Sequence, residues 1–231
     1  KAVWGFLENF LLQFIKHAYT VSDSIAQYYY KKYGVKMGVV KNVPFLKKIE
    51  HYPIKGDCKK IIYQGAINKD RGIELMISAM QYVDAKLYIV GSGDLMDEMI
   101  EHVKTSNLEH KITFLGQVHF DKLFEITCDM DLGLSFENDT CLAYRYSLPN
   151  KIFDYINAEI PLLISDLPEF RNIINKYKIG QVLNSRNPKD VSNQINHLLC
   201  VPPEKWLDQL KLAKKQFNWN VEKDSLLTFF R

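Results

Sequence analysis

Lys151 occupies a position where a cation needs an explanation. The stretch 147–154, SLPNKIFD, reads as the entry to a helix, because proline fits a first turn where its missing N–H is not needed. Ile152, Phe153 and Ile156 follow at helical spacing, and Pro161 ends the segment. A helix amino terminus carries partial positive charge and unpaired N–H groups, so a lysine in the first turn is repelled unless something negative lies between them. Arg71 stands in the same relation to a second helix, since Arg71-Gly72 directly precedes the periodic residues Ile73, Leu75, Met76 and Ala79. Two cations at two helix starts suit a doubly charged group such as a diphosphate. Asp154, one turn below Lys151, is placed to reach a vicinal diol. The same residues also allow an exposed Lys151–Asp154 pair at i, i+3, worth about 0.2–0.5 kcal/mol. Spacing alone leaves both arrangements open.

Elements must bring these groups to one place. Short β-rich runs fall at 18–21, 38–41, 60–64, 86–90, 111–115, 131–135, 162–165 and 180–183. Helical patterns fall at 23–33, 72–82, 95–105, 121–127, 150–158, 168–177, 188–200, 204–217 and 221–230. This alternation predicts an α/β fold, an open doubly wound and mainly parallel sheet with helices on both faces. Ligands in such sheets bind beyond the carboxyl ends of the strands. At those ends Gly65 permits a tight exit, and Gly116, Gln117 and Val118 suit backbone contact with a flat ring. Gly91 and Gly93 lack the third glycine of a dinucleotide fingerprint, because position 96 is methionine, and they favour a tight turn. A long polar loop carries Glu137, Tyr144, Arg145 and Tyr146 toward Leu148, Pro149, Asn150 and Lys151.

Composition bounds the function. The chain has 231 residues, 47% of them hydrophobic, and a formal charge of +3, too small to argue for nucleic acid. Cys58, Cys128, Cys141 and Cys200 are widely spaced, which fits a reducing cytoplasm better than a disulfide scaffold. The six histidines show no metal-binding spacing, so no metal site is expected. The opening stretch is too short and polar to span a bilayer. Its face of Phe6, Phe10 and Phe14 is expected to pack in a core, in preference to lying on a membrane. The chain starts without methionine in a helical pattern, so the sequence reads as a piece of a longer protein. Pro44, Pro53 and Gly56 interrupt the alternation, which divides the chain into 1–45, a hinge at 46–57, and a complete domain at 58–231.

The segments IIYQGAINKDRGIELMISAM, LYIVGSGDL, ITFLGQV and SLPNKIFDYINAEIPLLIS, in this order, resemble the C-terminal donor-binding half of group 1 retaining glycosyltransferases of the GT-B fold. The stretch 18–44 is similar to the end of that family's N-terminal, acceptor-binding domain. The resemblance implies that Gly65, Arg71 and the amides of Leu148, Pro149, Asn150 and Lys151 hold the diphosphate of a nucleotide-sugar donor. Asp154 matches the family's ribose-binding acidic position, and Gly116, Gln117 and Val118 match the loop along the base. Glu137 and Tyr146 fall to the donor sugar, with Tyr146 where the family carries an acid and Ala66 where it usually carries a first basic residue. Transfer would retain configuration, need neither metal nor cofactor, and require a glycan or lipid-linked acceptor bound by the N-terminal domain. The isolated piece would then be inactive. The location implied is the cytoplasm, with peripheral contact at the inner face of the membrane left open. A nucleotide-sugar epimerase is the alternative, with Glu137 and Asp139 as its acid and base; a pyridine-nucleotide dehydrogenase is disfavoured by Met96.

Overall fold

Ser22 starts the first well-capped helix. Its hydroxyl oxygen accepts the N–H of Ile25 (3.3 Å), and Gly34, at φ 70°, closes the helix in the left-handed conformation. In the computed structural model, which describes residues 2–15, 17–50, 56 and 58–228, this helix is α2 (Asp23–Tyr33). It connects β1 (Tyr19–Thr20) to β2 (Gly38–Val39), which pair in parallel, and α1 (Ala2–Leu12) precedes them.

The main sheet grows from β3 (Lys59–Gln64), whose last four residues are all buried, as a strand covered on both faces requires. Beside it run β4 (Ala85–Val90) and β5 (Ile112–Gly116) on one side, and β6 (Leu132–Ser135), β7 (Leu162–Ile164) and β8 (Gly180–Val182) on the other. The order is β5-β4-β3-β6-β7-β8 and every pairing is parallel. Successive β3 side chains enter opposite cores. Ile61 and Tyr63 join Met76 and Ile77 of α3 (Ile73–Ala79), Val103 of α4 (Met96–Thr105) and Ile195 of α9 (Pro188–Cys200). Ile62 joins Ile152 and Phe153 of α7 (Asn150–Asn157), Phe170 of α8 (Pro168–Tyr177) and Leu210 of α10 (Glu204–Gln216). Burial of each such side chain is worth about 2 kcal/mol, which is why the period-two pattern decides the register. α5 (Phe120–Cys128) lies over the second face, and α11 (Trp219–Leu227) follows α10. The chain direction across the sheet reverses between β3 and β6, which opens a crevice at their carboxyl ends.

Tyr155 pins α7 over that crevice. Its hydroxyl donates to the Leu134 carbonyl (3.1 Å) and accepts the Gln64 N–H (3.2 Å), one bond on each side of the switch. Gly133 makes room for it, since a side chain there would strike the Tyr155 ring.

Three expectations need correction. The aromatic face of α1 is not core: Trp4, Phe6 and Phe10 are exposed, as is Phe14 just beyond, and Leu12 is its buried apolar residue. Among the described residues no layer covers that face; α1 is instead tied through Glu8 to the hydroxyls of Tyr29 and Tyr33 on α2. Pro149 is not in the first turn of α7 but just outside it, in an extended conformation (φ −71°, ψ 147°), while the helix begins at Asn150, where its pattern starts. The long loop after β6 contains a short helix, α6 (Leu142–Arg145). The hinge expectation falls partly on residues 51–55 and 57, which lie outside the described residues. The final helices both cap the sheet and reach back. α10 packs on α7 and α8, while Trp219 donates its N–H to the Pro44 carbonyl (2.9 Å). No helix of the described residues is long and apolar enough to cross a membrane.

Candidate functional site

Three neighbouring strands leave the sheet side by side. Gly65 donates its N–H to Val90 at the end of β4 (2.9 Å), and Gly91 donates to Gly116 at the end of β5 (2.8 Å). Gly91 has φ 136°, and a side chain there would land on the Gly65 carbonyl, so only glycine allows this approach. A second close contact sets Arg71. Gly72, at φ 71°, lies against the Phe136 backbone, where any side chain would collide, and this holds the β3–α3 turn against the exit of β6.

The charges converge there on Glu137, which has no solvent exposure. Its Oε1 accepts from the Lys151 ammonium (2.7 Å) and lies 3.7 Å from Arg71 Nη1; its Oε2 accepts from Ser135 Oγ (2.7 Å). Burial alone would push this carboxyl up, but the Lys151 charge and the hydrogen bonds outweigh it and hold it below the usual range. Lys151 is itself 6% exposed, and its ammonium lies 4.3 Å from the Tyr63 ring centroid. Its pKa is lowered, first by burial and further by the Arg71 charge, against the opposing pull of Glu137. Arg71 lies over the Tyr144 ring (5.1 Å), and its Nε is buried without a hydrogen-bond partner. Arg186 approaches from the β8–α9 loop and donates to the Phe136 carbonyl (2.9 Å). Burial lowers its pKa, and the Glu137 charge works against that shift.

Lys151 therefore has a resident counter-ion beneath α7, and its ion pair is with Glu137, not Asp154. Asp154 faces the other way along the cleft. Its carboxylate accepts from the Gln64 amide (2.8 Å), which in turn accepts from Thr127 Oγ1 (3.1 Å). Burial pushes the Asp154 carboxyl up to about 6, with the Gln64 bond and the Lys47 charge opposing. An open cleft of about 390 Å³ joins these groups, floored by Gln64, Gly65 and Ala66 and walled by Arg71, Asn150, Lys151 and Asp154.

Of the other expected site residues, Pro149 borders the cleft, whereas the Leu148 side chain is buried in the second core and leaves only its backbone near the loop. Gly116 lies at the end of β5, Gln117 donates to Ser92 Oγ (2.6 Å), and Val118 packs against the second core. Tyr146 lies away from the cleft. Its ring is 6.1 Å from that of Tyr28 on α2, and its carbonyl accepts from Ser22 Oγ (3.0 Å). Glu137 lies beneath the cleft with both oxygens engaged, and Asp139 pairs with Arg145 (3.2 Å). Sequence reading missed Gln64, Ser135 and Arg186. Gln64, a polar residue ending an apolar strand, carried a signal; Arg186, distant in sequence and in a polar loop, carried none.

The site lies where a doubly wound sheet binds its ligands, and the family follows from comparison. Residues 45–216 match the model of "Glycosyl transferases group 1". The chain belongs to this family of transferases. An uncharacterized glycosyltransferase of Methanocaldococcus jannaschii is 34% identical over 83 residues, 34% of this chain and 21% of its own length. The D-rhamnosyltransferase WbpZ of Pseudomonas aeruginosa is 26% identical over 103 residues, 43% of this chain and 27% of its own. Among solved structures, a mutant of S. aureus TarM in complex with Fondaparinux, alpha-GlcNAc-glycerol and UDP superposes with a TM-score of 0.76 at 14% identity, over 94% of this chain and 44% of that one. The GT-B Rossmann-like fold is thus shared. The chain spans less than half of that structure's length, and the matched stretches are about a quarter of the curated relatives.

Proposed function

We propose that the cleft holds the diphosphate and ribose of a nucleotide-sugar donor. In the whole protein the sugar then passes, with retention of configuration, to a glycan or lipid-linked acceptor. The observation that carries this reading is a charge imbalance. Among the described residues, Arg71, Lys151 and Arg186 surround one buried carboxylate, leaving two positive charges uncompensated, and the Arg71 side chain, which lines the cleft, carries a buried Nε without an acceptor. A buried donor without a partner costs about 1–3 kcal/mol, which an arriving phosphate oxygen relieves. As the sugar–phosphate bond breaks, charge grows on the leaving diphosphate, and fixed cations stabilise it there. This reading assigns no metal and no resident cofactor to that role. Asp154 receives the ribose hydroxyls, and the Gly116–Val118 loop lies along the base. The acceptor face belongs to the N-terminal domain, so the 231-residue chain alone binds donor without sustained transfer. The location assigned is the cytoplasm, with α1 supplying a peripheral contact at the inner face of the membrane; failure to co-sediment with anionic vesicles would remove the membrane part.

The test is calorimetric titration with UDP, GDP and their monophosphates. Arg71→Ala should weaken the preferred diphosphate by roughly ten- to a hundredfold and the monophosphate less, because charge-assisted hydrogen bonds contribute about 1.5–3 kcal/mol. Equal binding by parent and variant would place the diphosphate elsewhere.

A further inference from the structure

Residues 40–47, directly after β2, are strapped across α7 at both of that helix's ends. At the first residue of α7, the Asn42 amide donates to Asn150 Oδ1 (2.9 Å). At the last, Asn157 holds the strap twice: its Oδ1 accepts the Lys47 N–H (3.3 Å), and its NH₂ donates to the Phe45 carbonyl (3.1 Å). Between these clamps Val43 is buried in the second core with Ile152, Phe153 and Ile156. The outer edge of the strap is held by α11, where the Glu222 carboxylate accepts the Lys41 N–H (2.8 Å) and Trp219 donates to Pro44. The Lys47 ammonium turns onto α5, 3.2 Å from Asp121 and over the rings of Phe120 and Phe124.

Asn157 is 4% exposed, so little water is on hand to replace a lost bond. Lys151 and Asp154 sit on the same eight-residue helix, between the two clamps. A helix this short transmits an axial displacement whole, because stretching it would break its own hydrogen bonds. Any shift of the unit formed by β1, α2 and β2 that draws on the strap must either break the clamps or carry α7 with it.

We infer that Asn157 is a positioning residue: it ties the placement of Lys151 and Asp154 in the cleft to the strap, so that occupancy of the cleft and the setting of the N-terminal unit are coupled. That coupling is reciprocal by linkage. The inference rests on the reading of the cleft as a nucleoside diphosphate site, and its test includes a readout that needs no nucleotide.

Asn157→Ala is compared with the parent chain by NMR titration of the Asp154 carboxyl and by calorimetric titration with UDP and GDP. Asp154 accepts from Gln64 of β3 and shares the cleft with Leu123 of α5, Arg71 of the β3–α3 turn and Lys151 of its own helix; of the charged groups it is Lys47 of the strap that holds its midpoint down. When Asn157 no longer holds the Lys47 backbone, the Lys47 ammonium follows its Asp121 partner on α5 away from Asp154, so the Asp154 midpoint should rise above about 6, and the diphosphate that binds the parent should weaken three- to tenfold. An unmoved Asp154 midpoint, whatever the melting temperature does, makes Asn157 merely structural and overturns the inference. If the parent binds neither nucleotide, the proposed function fails, while the Asp154 titration still decides the coupling. Should Asn157→Ala not fold, Asn157→Ser, whose single hydroxyl cannot replace both bonds to Lys47 and Phe45, carries the same two measurements, with the same outcomes.

Discussion

A carboxylate without solvent exposure and a lysine almost as buried form a pair whose worth lies in position more than in stability. Removing two charges from water offsets most of their attraction, yet removing one partner alone strands the other and costs about 3–5 kcal/mol. Lys151→Met should therefore lower the unfolding free energy by about that much in urea titration, and adding Glu137→Gln should restore most of it. If the double variant is no more stable than the single, Glu137 has another dominant partner. Asp154 makes a pH-dependent prediction of the opposite kind. Its carboxyl is raised from 3.8 to about 6 by burial, so between those values the folded chain keeps a proton that the unfolded chain has lost. The stability from the neutral carboxyl is complete below 3.8 and is lost as pH rises through 6. Asp154→Asn should thus gain on the parent by roughly 3 kcal/mol between acid and neutral pH, read from urea midpoints. A difference independent of pH would show that the Asp154 carboxyl titrates in the folded chain where it does in the unfolded one.

At the scale of elements, the cleft depends on strand exits that touch. Gly91→Ala places a side chain against the Gly65 carbonyl at φ 136°, and should cost at least about 3 kcal/mol while displacing the floor of the cleft. Gly116→Ala meets open space and bears only the left-handed strain of φ 66°, about 1–2 kcal/mol. Melting temperatures of the two variants test that order, and a reversal would mean the exits are not in contact. These elements were largely legible in the sequence. All eight strands and the helices α2, α8 and α9 lie where periodicity places them, because burial on two faces and proline at helix starts are local signals. What depends on distant chain was not legible. Glu137 meets Lys151 across a fourteen-residue separation, Arg186 arrives from fifty residues beyond Phe136, and the short α6 has no period to read. The exposure of α1 escaped for the same reason: an apolar helical face states that something covers it, not what.

On the scale of the whole molecule, the N-terminal unit is joined to the main sheet more by amide–carboxylate contacts than by apolar packing. Glu169 at the start of α8 is 4% exposed and accepts the Ser24 N–H (2.6 Å) in the first turn of α2. Glu222 of α11 is 6% exposed and accepts the Lys41 N–H just after β2. α2 itself buries no residue fully, so these two contacts, with the Ser22–Tyr146 hydrogen bond and the Tyr28–Tyr146 ring contact, do much of the holding. Contacts that are few, polar and directional suit a junction that opens without exposing a core. Hydrogen bonds to a charged group contribute about 1.5–3 kcal/mol each, a sum large enough to hold the unit and small enough to release it below global unfolding. Glu169→Ala combined with Glu222→Ala should therefore raise amide exchange across residues 19–40 by at least tenfold, while exchange in β3, β4 and β6 stays at the parent rate. Uniform acceleration through the sheet would instead mean that the two parts unfold as one cooperative body.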